Sequence, residues 1–165
     1  MNNLLHSNIQ MRAPQPGDMS YIVHAQARFY AQEYGWDWTF EALACRIAAD
    51  FIENFKPGRE RGWIAVMDGS IVGSVFAVED TAETAKLRML YVDKAARGHG
   101  LGGRLVDECI AFARAAGYRT LVLWTNDNLV SARKIYQARG FQLVAEEPHH
   151  SFGVDLVGQT WSLDL

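Results

Sequence analysis

The sequence predicts a mixed α/β domain built on one central sheet, and three observations carry that expectation. Helix-like and strand-like hydrophobic periods alternate along the chain. An Asp68-Gly69 pair lies between two apolar runs, a hairpin signal that puts antiparallel strands mid-chain. A cluster of glycines, Gly98, Gly100, Gly102 and Gly103, separates a strand-like segment from a helix-like one. With 165 residues, 49% of them hydrophobic, the chain is sized for one domain over 1–165 with its own core.

Residues 8–13 alternate as a short strand, broken by Pro14, Pro16 and Gly17. Asp18 or Ser20 is placed to cap a helix over 19–34, where Ile22, Ala25 and Phe29 recur about one turn apart until Gly35. A second helix follows Thr39, with Phe40, Leu43, Ile47 and Phe51 on one face, and stops at Pro57-Gly58. Strands are expected at 63–67, 71–78 and 85–92. A helix runs from near Gly100 through Leu101, Leu105, Cys109 and Phe112 to Gly117. A buried strand at 120–125, a helix at 129–139 stopped by Gly140, and strands at 141–144 and 160–165 complete the order β-α-α-β-β-β-α-β-α-β-β. His149-His150 falls in the loop before the last strand.

The formal net charge of -3 gives no general attraction to nucleic acid or to an anionic membrane. No apolar stretch approaches the ~20 residues of a membrane span. The segment Met1-Asn2-Asn3-Leu4-Leu5-His6 lacks the features of a secretory signal, so the expected place is the cytoplasm. Cys45 and Cys109 lie far apart without metal-ligand spacing and read as thiols of a reducing compartment; no metal is expected.

Four glycines within 98–103 would be costly inside a helix unless a ligand must approach bare backbone. The first turn of a helix offers unpaired N–H groups and the positive end of the dipole, a match for a pyrophosphate. Arg97 and Arg104 add charge-assisted donors. Gly98, Gly100 and Gly103 also spell the G-x-G-x-x-G dinucleotide fingerprint. That motif needs its turn directly after the strand, whereas residues 93–97 intervene here, and the upstream hairpin does not suit a doubly wound sheet.

Arg97-x-x-Gly100-x-Gly102 resembles the acetyl-CoA motif of the GNAT acetyltransferase superfamily. Leu90-Tyr91-Val92 is similar to that family's pantetheine-binding strand end, and Ser131 to Phe141, ending Tyr136-x-x-x-Gly140-Phe141, to its downstream helix. Residues 33–37, 86–92 and 151–161 look like the acetyltransferase half of bacterial MarR-type winged-helix/GNAT fusions; without a winged-helix half in this sequence, DNA binding is not expected. The resemblance implies the GNAT acyl-CoA N-acyltransferase fold, acetyl-CoA as co-substrate, and direct attack of an amine on the thioester. It places Leu90, Tyr91, Val92, Arg97, Gly98, His99, Gly100, Leu101, Gly102 and Gly103 at the cofactor, and Tyr136 as the group assisting the leaving thiolate. It also implies a carboxylate base at one of two strand positions, but these hold Lys86 and Trp124, and the family's helix-start asparagine falls on Leu129. Water is the expected route for the proton, with a histidine near the thioester as the alternative.

For the acceptor side, the aromatic-rich stretch supplies Tyr30, Glu33, Tyr34 and Trp36 as a substrate wall, and Arg88 and His149 are further candidates. The acceptor stays open between a small-molecule amine, which is favoured, and a protein amine; a homodimer and a non-catalytic acyl-CoA-binding regulator are also left open.

Overall fold

The computed structural model describes residues 8–165; the reading of Met1 to His6 lies outside them. The elements are β1 (Ile9–Arg12), α1 (Asp18–Tyr34), α2 (Thr39–Glu53), β2 (Arg61–Met67), β3 (Ser70–Glu79), β4 (Thr84–Val92), α3 (Leu101–Ala115), β5 (Thr120–Asn126), α4 (Val130–Ala138), β6 (Gln142–Ser151) and β7 (Val154–Asp164). They form one seven-stranded sheet in the order β1-β2-β3-β4-β5-β7-β6. Among the described residues every neighbouring pair is antiparallel except β4 with β5.

Side-chain alternation along the strands divides the core into two layers. Val75 on β3 points into the cluster with Leu101, Leu105 and Cys109 of α3, while its neighbour Phe76 joins Ile22 of α1 and Ala48 and Phe51 of α2. The sheet is thus covered by α3 and α4 on one face and by α1 and α2 on the other.

Two irregularities at the sheet's centre create the site. The parallel pairing of β4 and β5 covers only Thr84↔Thr120, Ala85↔Leu121 and Lys86↔Val122, after which the strands part. On its other side β4 pairs with β3 through Val92, but the register shifts between Ser74 and Phe76. Met89 takes up the bulge at φ 53, a conformation unusual for a residue with a side chain. The buried Ser74 hydroxyl donates to the Met89 carbonyl at 2.9 Å and pins the bulge. The β5-facing edge of residues 87–92 is therefore left without a strand partner.

Three sequence expectations change. The last two strands are long, spanning Gln142–Ser151 and Val154–Asp164, so His149 and His150 lie in β6 and not in a loop. The reason is that β6 is an exposed edge strand carrying Glu146, Glu147 and Pro148, with no buried face to impose apolar alternation. The turn joining it to β7 has Phe152 at φ 57 and Gly153 at φ 79, without the Asn-Gly or Asp-Gly pair that marks a hairpin. At the start of α1 the N-cap is Gly17; Asp18 opens the helix and accepts from the Gln15 N–H and the Arg12 guanidinium instead of capping.

Candidate active site

The parting of β4 and β5 opens two cavities that meet. The outer cleft, about 720 Å³, runs from the glycine turn along the end of β4 to α4. The inner cavity, about 420 Å³, lies between α1, α2 and the diverging strands. Tyr30, Leu90, Leu129 and Ala132 line both and so mark the junction.

The outer cleft is built on the start of α3. Gly98 and Gly100 sit at φ 77 and 73, which a side chain would strain. Gly100 is the N-cap and no side chain caps the helix, so the first-turn N–H groups keep their donors for something else. A Cβ on Gly102 would stand 2.8 Å from the Ile135 Cδ1, so that glycine also lets α3 and α4 approach. Of the residues expected at a cofactor, Leu90, Tyr91, Val92, Arg97, Gly98, Gly100, Leu101, Gly102 and Gly103 line the cleft. His99 does not line it, and neither does Arg104. The Arg97 guanidinium lies 4.4 Å from the Phe29 ring centroid. Ser131, Lys134 and Arg139 are also in the lining, with Arg139 paired to Asp107 at 2.7 Å. Sequence reasoning missed them, although Ser131 and Lys134 stand three apart and share a helix face.

An anionic, phosphate-bearing ligand fits this cleft: uncapped amides at a helix N-terminus, bare glycine backbone and the cations Arg97 and Lys134 converge there.

The aromatic stretch divides between the two cavities. Glu33 and Tyr34 line the outer cleft, and Glu33 pairs with Lys94 at 3.0 Å. Trp36 lines the inner cavity. Gly35, at φ 71, reverses the chain after α1 and lays Trp36 on Tyr30, with ring centroids 4.6 Å apart. Burial holds the Tyr30 phenol up at about 12, with Tyr34 adding to the effect and Arg97 opposing it. Phe40 and Phe152 complete the wall, their rings 5.3 and 4.9 Å from Trp36. Phe152 reaches it because the β6–β7 turn is fastened to the α1–α2 loop, the Asp37 N–H donating to the Phe152 carbonyl at 2.9 Å.

Tyr136, on α4, is buried and lines the inner cavity. Burial, then the neighbouring Tyr30 and Cys109, push its phenol well above the usual tyrosine value, so it stays a proton donor. Lys86, Arg88 and Trp124 line the same cavity. Burial first, then Arg88, lower the Lys86 ammonium, and Asp80 opposes them.

His149 lines neither cavity; it faces an adjacent cleft shared with Trp124 and Phe152. One ring nitrogen, Nε2, lies 2.8 Å from the Asn126 Oδ1, and Nδ1 lies 2.8 Å from the Ser151 hydroxyl. Asn126 and Trp124 both line the inner cavity, so His149 reaches it through that amide and through the Trp124 ring, whose centroid lies 5.5 Å from its own.

A model of the acetyltransferase (GNAT) family matches residues 23–141. Human N-acetylaspartate synthetase is 33% identical over 126 residues, 73% of this chain and 40% of that protein. The chain therefore spans about two fifths of the length of such a relative. An uncharacterized N-acetyltransferase of Schizosaccharomyces pombe is 32% identical, over 73% of this chain and 74% of that protein. Among solved structures, an N-acetyltransferase from Staphylococcus aureus Mu50 superposes with a TM-score of 0.76 at 21% identity, covering 95% of this chain and 98% of that one. A GNAT family acetyltransferase from Elizabethkingia anophelis with acetyl-CoA bound gives 0.66 at 17% identity, covering 96% and 99%. The strand order, the split between β4 and β5, the glycine turn and these likenesses agree: the chain belongs to the acetyltransferase (GNAT) family.

Proposed function

We propose that this chain is an N-acetyltransferase that moves the acetyl group of acetyl-CoA to the amine of a small molecule. One observation carries the reading: an outer cleft suited to a diphosphate meets a small inner cavity at Leu90, Leu129, Ala132 and Tyr30.

Bound acetyl-CoA supplies an activated thioester. On this reading the first-turn amides of α3, with Arg97 and Lys134, hold its phosphates, and the unpaired edge of Leu90 to Val92 holds the pantetheine arm. The residues at the junction orient the acceptor amine against the acetyl carbon. A C–N bond forms and the C–S bond breaks; one proton leaves the amine and one returns to sulfur. Tyr136 donates to the sulfur as charge develops there. A phenol held well above its ordinary value of about 10, against a thiol of about 8.5, makes full transfer uphill, so the hydrogen bond itself is the contribution. Among the described residues no carboxylate lines the inner cavity, and Lys86 and Trp124 stand at the two strand positions. The cations Lys86 and Arg88 disfavour an ammonium in the cavity, which favours the neutral amine and leaves its proton to water.

The small size of the inner cavity supports a small amine over a protein amine. The name of the N-acetylaspartate synthetases puts aspartate first among acceptors to test. Residues 33–37, 86–92 and 151–161 support a place near the acetyltransferase half of MarR-type fusions. The cytoplasm remains our reading of the sequence; no described helix is long and apolar enough to cross a membrane.

The test is thiol release from acetyl-CoA across a library of amines, with the N-acetyl product identified by mass. Release matched by product supports transfer. Tight acetyl-CoA binding with no release for any amine would favour an acyl-CoA-binding regulator.

A further inference from the structure

Lys86 and Arg88 have no role in the transfer chemistry beyond their charge, and their surroundings define what the inner cavity accepts. Both lie on β4 and both line the cavity, where no aspartate or glutamate accompanies them. Neither forms a salt bridge with any described residue, whereas Lys56, Arg59 and Arg139 all do. Two half-buried cations with no salt-bridged carboxylate are costly to keep in a cavity lined by Trp36, Phe40, Ile47 and Phe152. The lowered Lys86 ammonium reports the same imbalance. The positions also suit a ligand that spans the junction: Arg88 and Lys86 precede Leu90 by two and four residues on β4, and all three line the inner cavity.

We propose, resting on the transfer reading above, that the acceptor is a small amine carrying at least one carboxylate, which Arg88 and Lys86 bind while the amine meets the thioester at Leu90. The guanidinium offers a planar fork that matches a carboxylate, and Lys86 adds a second cation deeper in the cavity. The aromatic wall takes the rest of the molecule. Polyamines and aminoglycoside-like amines are excluded, because each added ammonium meets two like charges and no carboxylate.

The experiment measures thiol release by the full chain at saturating acetyl-CoA with matched acceptors. L-aspartate is compared with its diamide, L-phenylalanine with phenethylamine, and both acids with spermidine. The better acid should exceed its carboxylate-free counterpart in kcat/KM by at least about tenfold, with spermidine lowest. Arg88→Met and Lys86→Met should raise the KM for that acid about tenfold or more and shrink the preference, with the KM for acetyl-CoA little changed. Arg88→Lys, which keeps the charge, should restore part of the loss. Equal or better use of phenethylamine or spermidine by the wild-type chain would overturn the proposal and leave acetyl transfer standing. So would folded Met variants that keep the full preference. Acetyl-CoA binding without release for every acceptor would overturn this proposal together with the reading beneath it.

Discussion

Ser74 and Met89 face each other across the bulge in β4, the Ser74 hydroxyl donating to the Met89 carbonyl at 2.9 Å. Ser74 is fully buried, so its hydroxyl serves this one carbonyl and no solvent. The bond holds the main chain where Leu90 turns toward the opening between β4 and β5. Ser74→Ala should therefore cost about 1 kcal/mol in stability and weaken acetyl-CoA severalfold, more than an equally buried serine away from the site would. Denaturant unfolding paired with calorimetric titration checks both; lost stability with unchanged acetyl-CoA affinity would separate the bulge from the ligand.

Tyr136→Phe removes only a hydroxyl from a buried ring, so the fold should persist. The turnover number should fall about tenfold to a thousandfold, roughly 1.4–4 kcal/mol of transition-state stabilisation, with acetyl-CoA affinity unchanged. Burial raises the phenol, so the wild-type pH profile should show no falling limb from this residue up to its ordinary value of about 10. Full turnover in the mutant, measured where chemistry limits the rate, removes Tyr136 from the mechanism.

The sequence made much of this legible. The glycine turn stood out because four glycines between a strand and a helix have few structural uses, and nine of the ten residues assigned to it and to the strand before it do line the outer cleft. The opening between β4 and β5 was not legible, because strand divergence is a tertiary relationship and the bulge falls on Met89, with no glycine to mark it. The part of β6 beyond Val144 reads as loop for want of a buried face, and that hid both the Asn126–His149 contact and the arrival of Phe152 at the acceptor wall. Arg104 and Arg139 could not be ranked without knowing which helix faces meet.

His149 is held at both ring nitrogens and does not line the inner cavity, which favours water as the proton's route. His149→Ala should lower kcat/KM less than about tenfold, and activity should keep rising with pH as the amine's own ammonium titrates. The profile of kcat/KM against pH decides it. A hundredfold loss that also abolishes the acidic limb of the profile, with acetyl-CoA binding intact, would make His149 the base.

Asp18 sets an acid limit on stability. The Arg12 hydrogen bond, and then the Gln15 N–H, hold its carboxyl below the usual range against the opposing effect of burial. A carboxylate with a lowered folded-state value stabilises above its unfolded value of about 3.9, and that contribution fades as pH falls toward the lower folded value. Asp18→Asn should be less stable than wild type at pH 7, and the gap should close below about pH 4. Urea midpoints for both proteins from pH 7 to 2.5 measure it; a gap independent of pH would assign the effect to packing.

The central claim, that acetyl-CoA lies across the opening of the sheet with its diphosphate on the start of α3, is tested most directly by backbone amide NMR during an acetyl-CoA titration. The amides of Gly98, Gly100, Leu101, Gly102 and Gly103, together with those of Leu90 and Val92, should show the largest saturable shifts, and NADH at the same concentrations should leave them in place. Unmoved amides at these positions while saturable shifts gather elsewhere on the sheet or helices would contradict the account.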